Sequence, residues 1–140
     1  MTRSEGRNLA FELLYSLEIQ KVDEQERQEQ IELFLQENGI TEKKVSEYIK
    51  QTIDGIFLQE KEIQKMISQN LKEKWEISRI SKINLALLKL AVYEIVYSKL
   101  PYKVVVNEVV ELAKKYGEDT SPSFVNGILA NIIKMSVEGR

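Results

Sequence analysis

The chain has 140 residues, 43% of them hydrophobic and 30% charged, with a formal net charge of −2. That is the make-up of one ordinary soluble globular domain, long enough to bury about two thirds of its unfolded surface without staples. Cysteine and histidine are both absent. This excludes disulfides, thiolate chemistry and the usual neutral-pH acid–base group, and leaves carboxylates, Lys, Tyr, Ser and Thr as the only candidate catalysts.

The first twenty residues carry Arg3, Glu5, Arg7, Glu12 and Glu18, so no secretory signal is read there. Thr2 and Glu5 have capping-box spacing, and Leu9, Ala10, Leu13, Leu14 and Leu17 follow at helical period to about Ile19. After a connection at Val22–Glu24, a second helix presents only Ile31, Phe34 and Leu35 and ends near Asn38-Gly39. So narrow a stripe places it on the outside. It is also acidic: residues 21–39 hold six acids against two bases, leaving eighteen bases and sixteen acids elsewhere.

From Thr41 or Glu42, a stripe of Val45, Ile49, Ile53 and Ile56 continues less regularly through Ile63 and Ile67. Glu60 falls where an apolar residue is expected, so either one long helix reaches Leu71 or a break lies near Phe57–Gln59. Lys72–Glu76 is charged around the only tryptophan, Trp75. Ser78 or Ser81 caps a fifth segment with Ile80, Ile83, Leu87, Leu88, Ala91 and Ile95 inside. It ends at Ser98–Leu100. The apolar run Leu85–Tyr97 is short and interrupted by Lys89 and Glu94, which reads as a buried helix and not a membrane span.

The stretch from Pro101 to Ile133 is the best punctuated. Pro101 opens a helix, Gly117 is expected to close it in the left-handed conformation, and Ser121-Pro122 restarts the chain with a capping hydroxyl and a first-turn proline. Val104-Val105-Val106 has strand propensity. The spacing Val105, Val109, Leu112, Ala113, Tyr116 and the lack of a pairing segment favour helix. The last helix places Phe124, Val125, Ile128, Leu129, Ile132 and Ile133 at helical spacing. The expected architecture is all-α, a compact bundle of about seven helices in one domain spanning residues 1–140.

Carboxylate pairs one turn apart, Glu108 with Glu111 and Glu29 with Glu32, are read as solvated faces or local salt bridges and not as a catalytic or metal site. The glycines are too scattered to cradle phosphates. Gly127 lies within a helix, where it costs about 1 kcal/mol relative to Ala, and tight packing beside Asn126 is the expected reason. Arg3 and Arg7, one turn apart and opposed by Glu5, are either a solvated terminus or a grip on phosphates and bases. Tyr15 and Phe124 are either core or exposed stacking platforms. The residues themselves thus describe a helical, non-enzymatic, intracellular binding module whose partner they leave unnamed.

The run Pro101-Tyr102-Lys103-Val104, Asn107-Glu108, Glu111-Leu112-Ala113-Lys114, Gly117 and Phe124-Val125-Asn126-Gly127 closely resembles the transcription antitermination factor family NusB. Arg3, Arg7, Ala10 and Leu14-Tyr15, then Trp75, Arg79 and Ala91-Val92-Tyr93-Glu94, extend the likeness along the chain. The resemblance implies an all-helical fold of two small helical subdomains. It implies a cytoplasmic factor without cofactor or metal that binds boxA-type single-stranded leader RNA of ribosomal RNA operons, jointly with the small-subunit ribosomal protein NusE, in an antitermination complex with RNA polymerase. By position, Arg3, Arg7 and Phe124 match RNA-binding residues of the family. Tyr15 and Asn84 match partner-binding ones. Asn84 stands where the family usually has an acid, and Ala130 where relatives commonly have Asp. A monomer or weak homodimer is expected.

Two rivals remain. NusB-like domains also precede RNA cytosine methyltransferases, but no cofactor loop or cysteine nucleophile accompanies this one, so a stand-alone factor is expected. The other is a helical protein–protein adapter that does not bind RNA.

Overall fold

Local hydrogen bonds start and stop the helices where the sequence signals them. The structure, a computed structural model, describes residues 1–72 and 76–136; Trp75 lies outside the described residues. Within them are seven α-helices and no strand. The chain divides into two compact units, Met1–Gly55 and Ile56 onward.

In the first unit, the Thr2 capping box forms. The Glu5 N–H donates to Thr2 Oγ1 at 3.1 Å, while Glu5 Oε1 accepts from the Thr2 N–H at 3.4 Å. It opens α1 (Arg3–Gln20), which ends on Lys21 in the left-handed region, φ 55°. Asp23 caps α2 (Glu24–Glu37) by accepting from the Glu26 N–H at 2.9 Å. At its far end Gly39 takes φ +61° and the Ile40 N–H donates to Leu35 O at 2.9 Å, a glycine-closed helix end. Paired amides of Gln20 and Gln30 join α1 to α2, at 2.9 and 2.7 Å. Lys50 Nζ on α3 (Lys43–Leu58) meets Glu32 of α2 at 2.7 Å. Ala10, Leu13, Leu14 and Leu17 of α1, Ile31 and Leu35 of α2, and Ile49 and Ile53 of α3 are buried. Each such Leu or Ile contributes about 1.5–3 kcal/mol. Only two α2 residues are buried, in keeping with its narrow stripe.

The long segment from Thr41 is broken. α3 stops at Leu58, Gln59 leaves helical geometry (φ −99°, ψ 17°), and α4 (Glu60–Ser68) begins. Glu60 interrupts the apolar stripe because it faces a cation: its Oε1 lies 3.2 Å from Nζ of Lys89, which is buried.

In the second unit, Ser81 and not Ser78 caps α5 (Lys82–Val92), accepting from the Asn84 N–H at 3.1 Å. α5 widens into a π-helical turn at Tyr93–Tyr97, where the Ser98 N–H reaches back five residues to Tyr93 O at 3.1 Å. Lys99 at φ 54° turns the chain toward Pro101. The three consecutive valines are helical, in α6 (Tyr102–Tyr116), with Val105 buried and Val104 exposed. α7 (Ser121–Ser136) packs on α6, and both pack on α5; Ile63, Ile67, Leu87, Leu88, Leu90, Val105, Val109, Val125, Leu129 and Ile132 are buried.

Two expectations for the α6–α7 joint are corrected. Gly117 is extended, φ −93° and ψ −168°, and not left-handed. Its glycine is required by space: a Cβ there would lie 2.5 Å from Ser121 Oγ, 2.6 Å from Ser121 Cβ and 2.9 Å from Ala113 O. Nor does the Ser121 hydroxyl cap α7 from outside. Ser121 is already the first helical residue, and its Oγ accepts from the Glu118 N–H at 3.0 Å, which cinches the turn. One member of each carboxylate pair meets a cation: Glu32 meets Lys50, and Glu111 meets Lys114 at 3.0 Å. Among the described residues, no helix is long and apolar enough to cross a membrane.

Candidate nucleic-acid interface

The cinched turn sets where Phe124 stands. With Gly117 pressed against Ser121 and Pro122 in the first turn, α7 starts abruptly, and the Phe124 N–H donates to Thr120 O at 3.1 Å. Phe124 is half-buried, so its ring is part core and part surface. It lines an open groove of about 430 Å³ in the second unit. One wall is α7, through Thr120, Ser123, Phe124, Gly127, Ile128 and Asn131. The other is the exit of α4, through Asn70, Leu71 and Lys72.

Gly127 corrects another expectation. A Cβ added there meets nothing within 4 Å, and the residue is exposed. Packing beside Asn126 therefore does not explain it, and its missing side chain leaves the groove open next to Phe124. Among the described residues the lining contains no carboxylate. It offers a ring and aliphatic side chains for stacking a base, amides and hydroxyls for its edges, and one ammonium for a phosphate. Asn70 is held in place by donating its amide to Met66 O at 2.7 Å.

The other candidate residues divide between the units. Arg3 is exposed in the first turn of α1. Glu5, read as opposing the arginines, is engaged in the capping box with Thr2. Arg7, one turn further on, is only 2% exposed and has a partner within the protein. The two arginines thus do not form one exposed pair. Tyr15 is half-buried and stacks on Phe11, ring centroids 6.1 Å apart and planes 18° apart. Asn84 sits in the first turn of α5. Its backbone N–H is taken by Ser81, while its side-chain Oδ1 is buried without a hydrogen-bond partner. An orphaned acceptor of this kind is uncommon in a folded chain.

Asn131 and the Asn70–Lys72 wall were not singled out by the sequence. Asn131 carried a usable signal, since it follows Phe124 by seven residues and so shares its helix face. The α4 exit carried none, because only tertiary packing brings it to α7.

The model of the NusB family matches residues 4–134. The chain belongs to the NusB family. The transcription antitermination protein NusB of Ruminiclostridium cellulolyticum is 43% identical over 135 residues, covering 96% of this chain and 90% of that one. NusB of Acetivibrio thermocellus is 41% identical over 143 residues, covering 99% and 95%. Among solved structures, T. maritima NusB is similar with a TM-score of 0.88 at 33% identity, covering 99% of this chain and 96% of that one. A crystal structure of antitermination factors NusB and NusE in complex with dsRNA is similar with a TM-score of 0.85 at 28% identity, covering 96% and 99%.

Proposed function

We propose that this protein is an RNA-binding transcription antitermination factor. It binds boxA-like leader RNA of ribosomal RNA operons together with the ribosomal protein NusE, and helps RNA polymerase resist termination. The observation that carries the reading is the open groove at Phe124, whose described lining holds an aromatic ring, amides and an ammonium, in a chain 43% identical to an antitermination protein. The solved NusB–NusE–dsRNA assembly of a 28% identical chain supports both partners. The protein acts in the cytoplasm as a binding module and not as an enzyme, in keeping with a sequence that lacks histidine and cysteine.

In this reading Phe124 stacks on a base and Arg3 meets phosphate. Arg7, being buried, supports α1 from within the first unit. Tyr15 and Asn84 face NusE, and the buried Asn84 oxygen is an acceptor that a partner's donor would satisfy.

Few clustered bases mean few phosphate contacts, hence weak binding by the protein alone. NusE adds surface and charge on the same RNA, so joint binding is at least about tenfold tighter. RNA affinity measured with and without NusE tests this, using boxA-like single-stranded RNA, its duplex and a scrambled strand. Equal affinities with and without NusE reject the cooperative mechanism. Phe124→Ala is expected to erode the preference for the boxA-like strand more than affinity for the scrambled one.

A further inference from the structure

α7 has a second groove on its opposite flank. About 390 Å³ in volume, it lies between the start of α6 and the latter half of α7. Its apolar lining comes from the Tyr102 ring, Val106, Ala130 and the buried Ile133. Two exposed lysines, Lys103 and Lys134, and two exposed amides, Asn107 and Asn126, supply the rest of its chemistry. Among the described residues no carboxylate lines it, and α7 carries no acidic residue between Ser121 and Ser136.

We propose that this groove binds the sugar–phosphate backbone of RNA and extends the contact that begins at Phe124. The inference rests on the RNA-binding reading above. Charge decides the ligand's sign: two ammonium groups with no acid among the described lining residues favour an anion. Continuity decides its kind. Phe124, Gly127 and Asn131 line one side of α7, and Asn126, Ala130 and Lys134 line the other. Between the two grooves the exposed crest runs through Ser123, Gly127, Ala130 and Lys134, the first three with small side chains. A polymer can cross so low a ridge without leaving the protein surface, which an isolated small anion has no need to do. From Asn126 to Lys134 the helix rises about 12 Å at ~1.5 Å per residue. The amides then serve 2′-hydroxyl and phosphate oxygens, giving affinity with little sequence preference.

The test uses the full chain with boxA-like RNA in two lengths, one short enough to reach only the Phe124 groove and one extended beyond it. Lys103→Gln/Lys134→Gln should weaken binding of the extended RNA several-fold. The slope of log affinity against log salt should shrink by about 1.4, two contacts at ~0.7 each for a single strand. Ala130→Asp places a carboxylate in the groove without touching either lysine, and should weaken the same RNA while the short one binds as before. All three positions bear exposed side chains, and unfolding curves matching the parent protein certify the variants.

If the parent protein binds both RNAs and neither variant alters affinity or salt slope, the groove is not an RNA contact and the inference is overturned. Loss of binding to an acidic protein partner with RNA binding intact also overturns it, in favour of a peptide site. If the parent protein binds no RNA at all, with or without NusE, the functional reading itself fails first.

Discussion

Lys89 Nζ lies 3.2 Å from Glu60 Oε1, joining α5 to the first residue of α4 across 29 positions of sequence. Lys89 is 1% exposed, whereas the Glu60 side chain keeps 38% of its surface. Glu60→Ala removes one partner of an ammonium buried inside the second unit. Loss of one partner of a fully buried pair costs about 3–5 kcal/mol, and solvent screening of Glu60 lowers the expected loss to about 1–3 kcal/mol. Lys89→Met keeps the length of the side chain without its charge and should cost less than Glu60→Ala. Urea unfolding of both variants decides the matter, and the opposite ranking would reject this account.

Gly117→Ala should destabilise the protein by about 1–3 kcal/mol through overpacking against Ser121 and Ala113. The backbone itself is at φ −93°, which alanine adopts freely, so the cost is steric and not dihedral. Ser121→Ala should therefore fail to rescue it, because the Ser121 Cβ is already 2.6 Å from the added carbon. Thermal unfolding of the single and double variants is the measurement.

Gly127→Ala should do the reverse. With nothing within 4 Å of the new methyl, helix propensity alone acts, raising stability by about 0.5–1 kcal/mol. A loss of stability would mean that the position is packed after all.

Arg3→Ala and Arg7→Ala should separate cleanly. Arg3 is exposed, so its removal should leave stability within about 0.5 kcal/mol and reduce the salt slope of RNA binding by about 0.7. Arg7 is buried and partnered, so its removal should cost about 1–3 kcal/mol of stability. Paired unfolding and RNA titrations would reject these roles if Arg7→Ala proved as stable as the parent protein.

The Tyr97 hydroxyl should titrate late. Burial raises its pKa above the ordinary 10.0, and the charge of Glu62 raises it further. A raised phenol favours the protonated folded form, so its contribution to stability is complete below pH 10 and is lost as pH rises through the folded value. Tyrosinate absorbance should show a late step above the ordinary value. Tyr97→Phe should abolish that late step, and Glu62→Gln should advance it only in part, because burial is the larger cause. An unchanged titration curve in Tyr97→Phe would refute the assignment.

Much of this protein was determined by its sequence alone, because the deciding forces act within a few residues. The Thr2 capping box, the glycine-closed end at Gly39, the start of α6 after Pro101 and the helical choice for Val104–Val106 all depend on hydrogen bonds and periodicities spanning one to three turns. The same locality made the Pro101–Gly127 block specific enough to point to its family. Only tertiary structure decided what depends on distant neighbours. Glu60 looks misplaced until Lys89 is brought against it, and Arg7 looks available until packing buries it. Gly117 and Gly127 are the same letter to a sequence reader. One is glycine because Ser121 leaves no room for a Cβ, and the other stands in open space beside Phe124. The two grooves flanking α7 belong to this second class, since a concave surface exists only after separate helices have packed side by side.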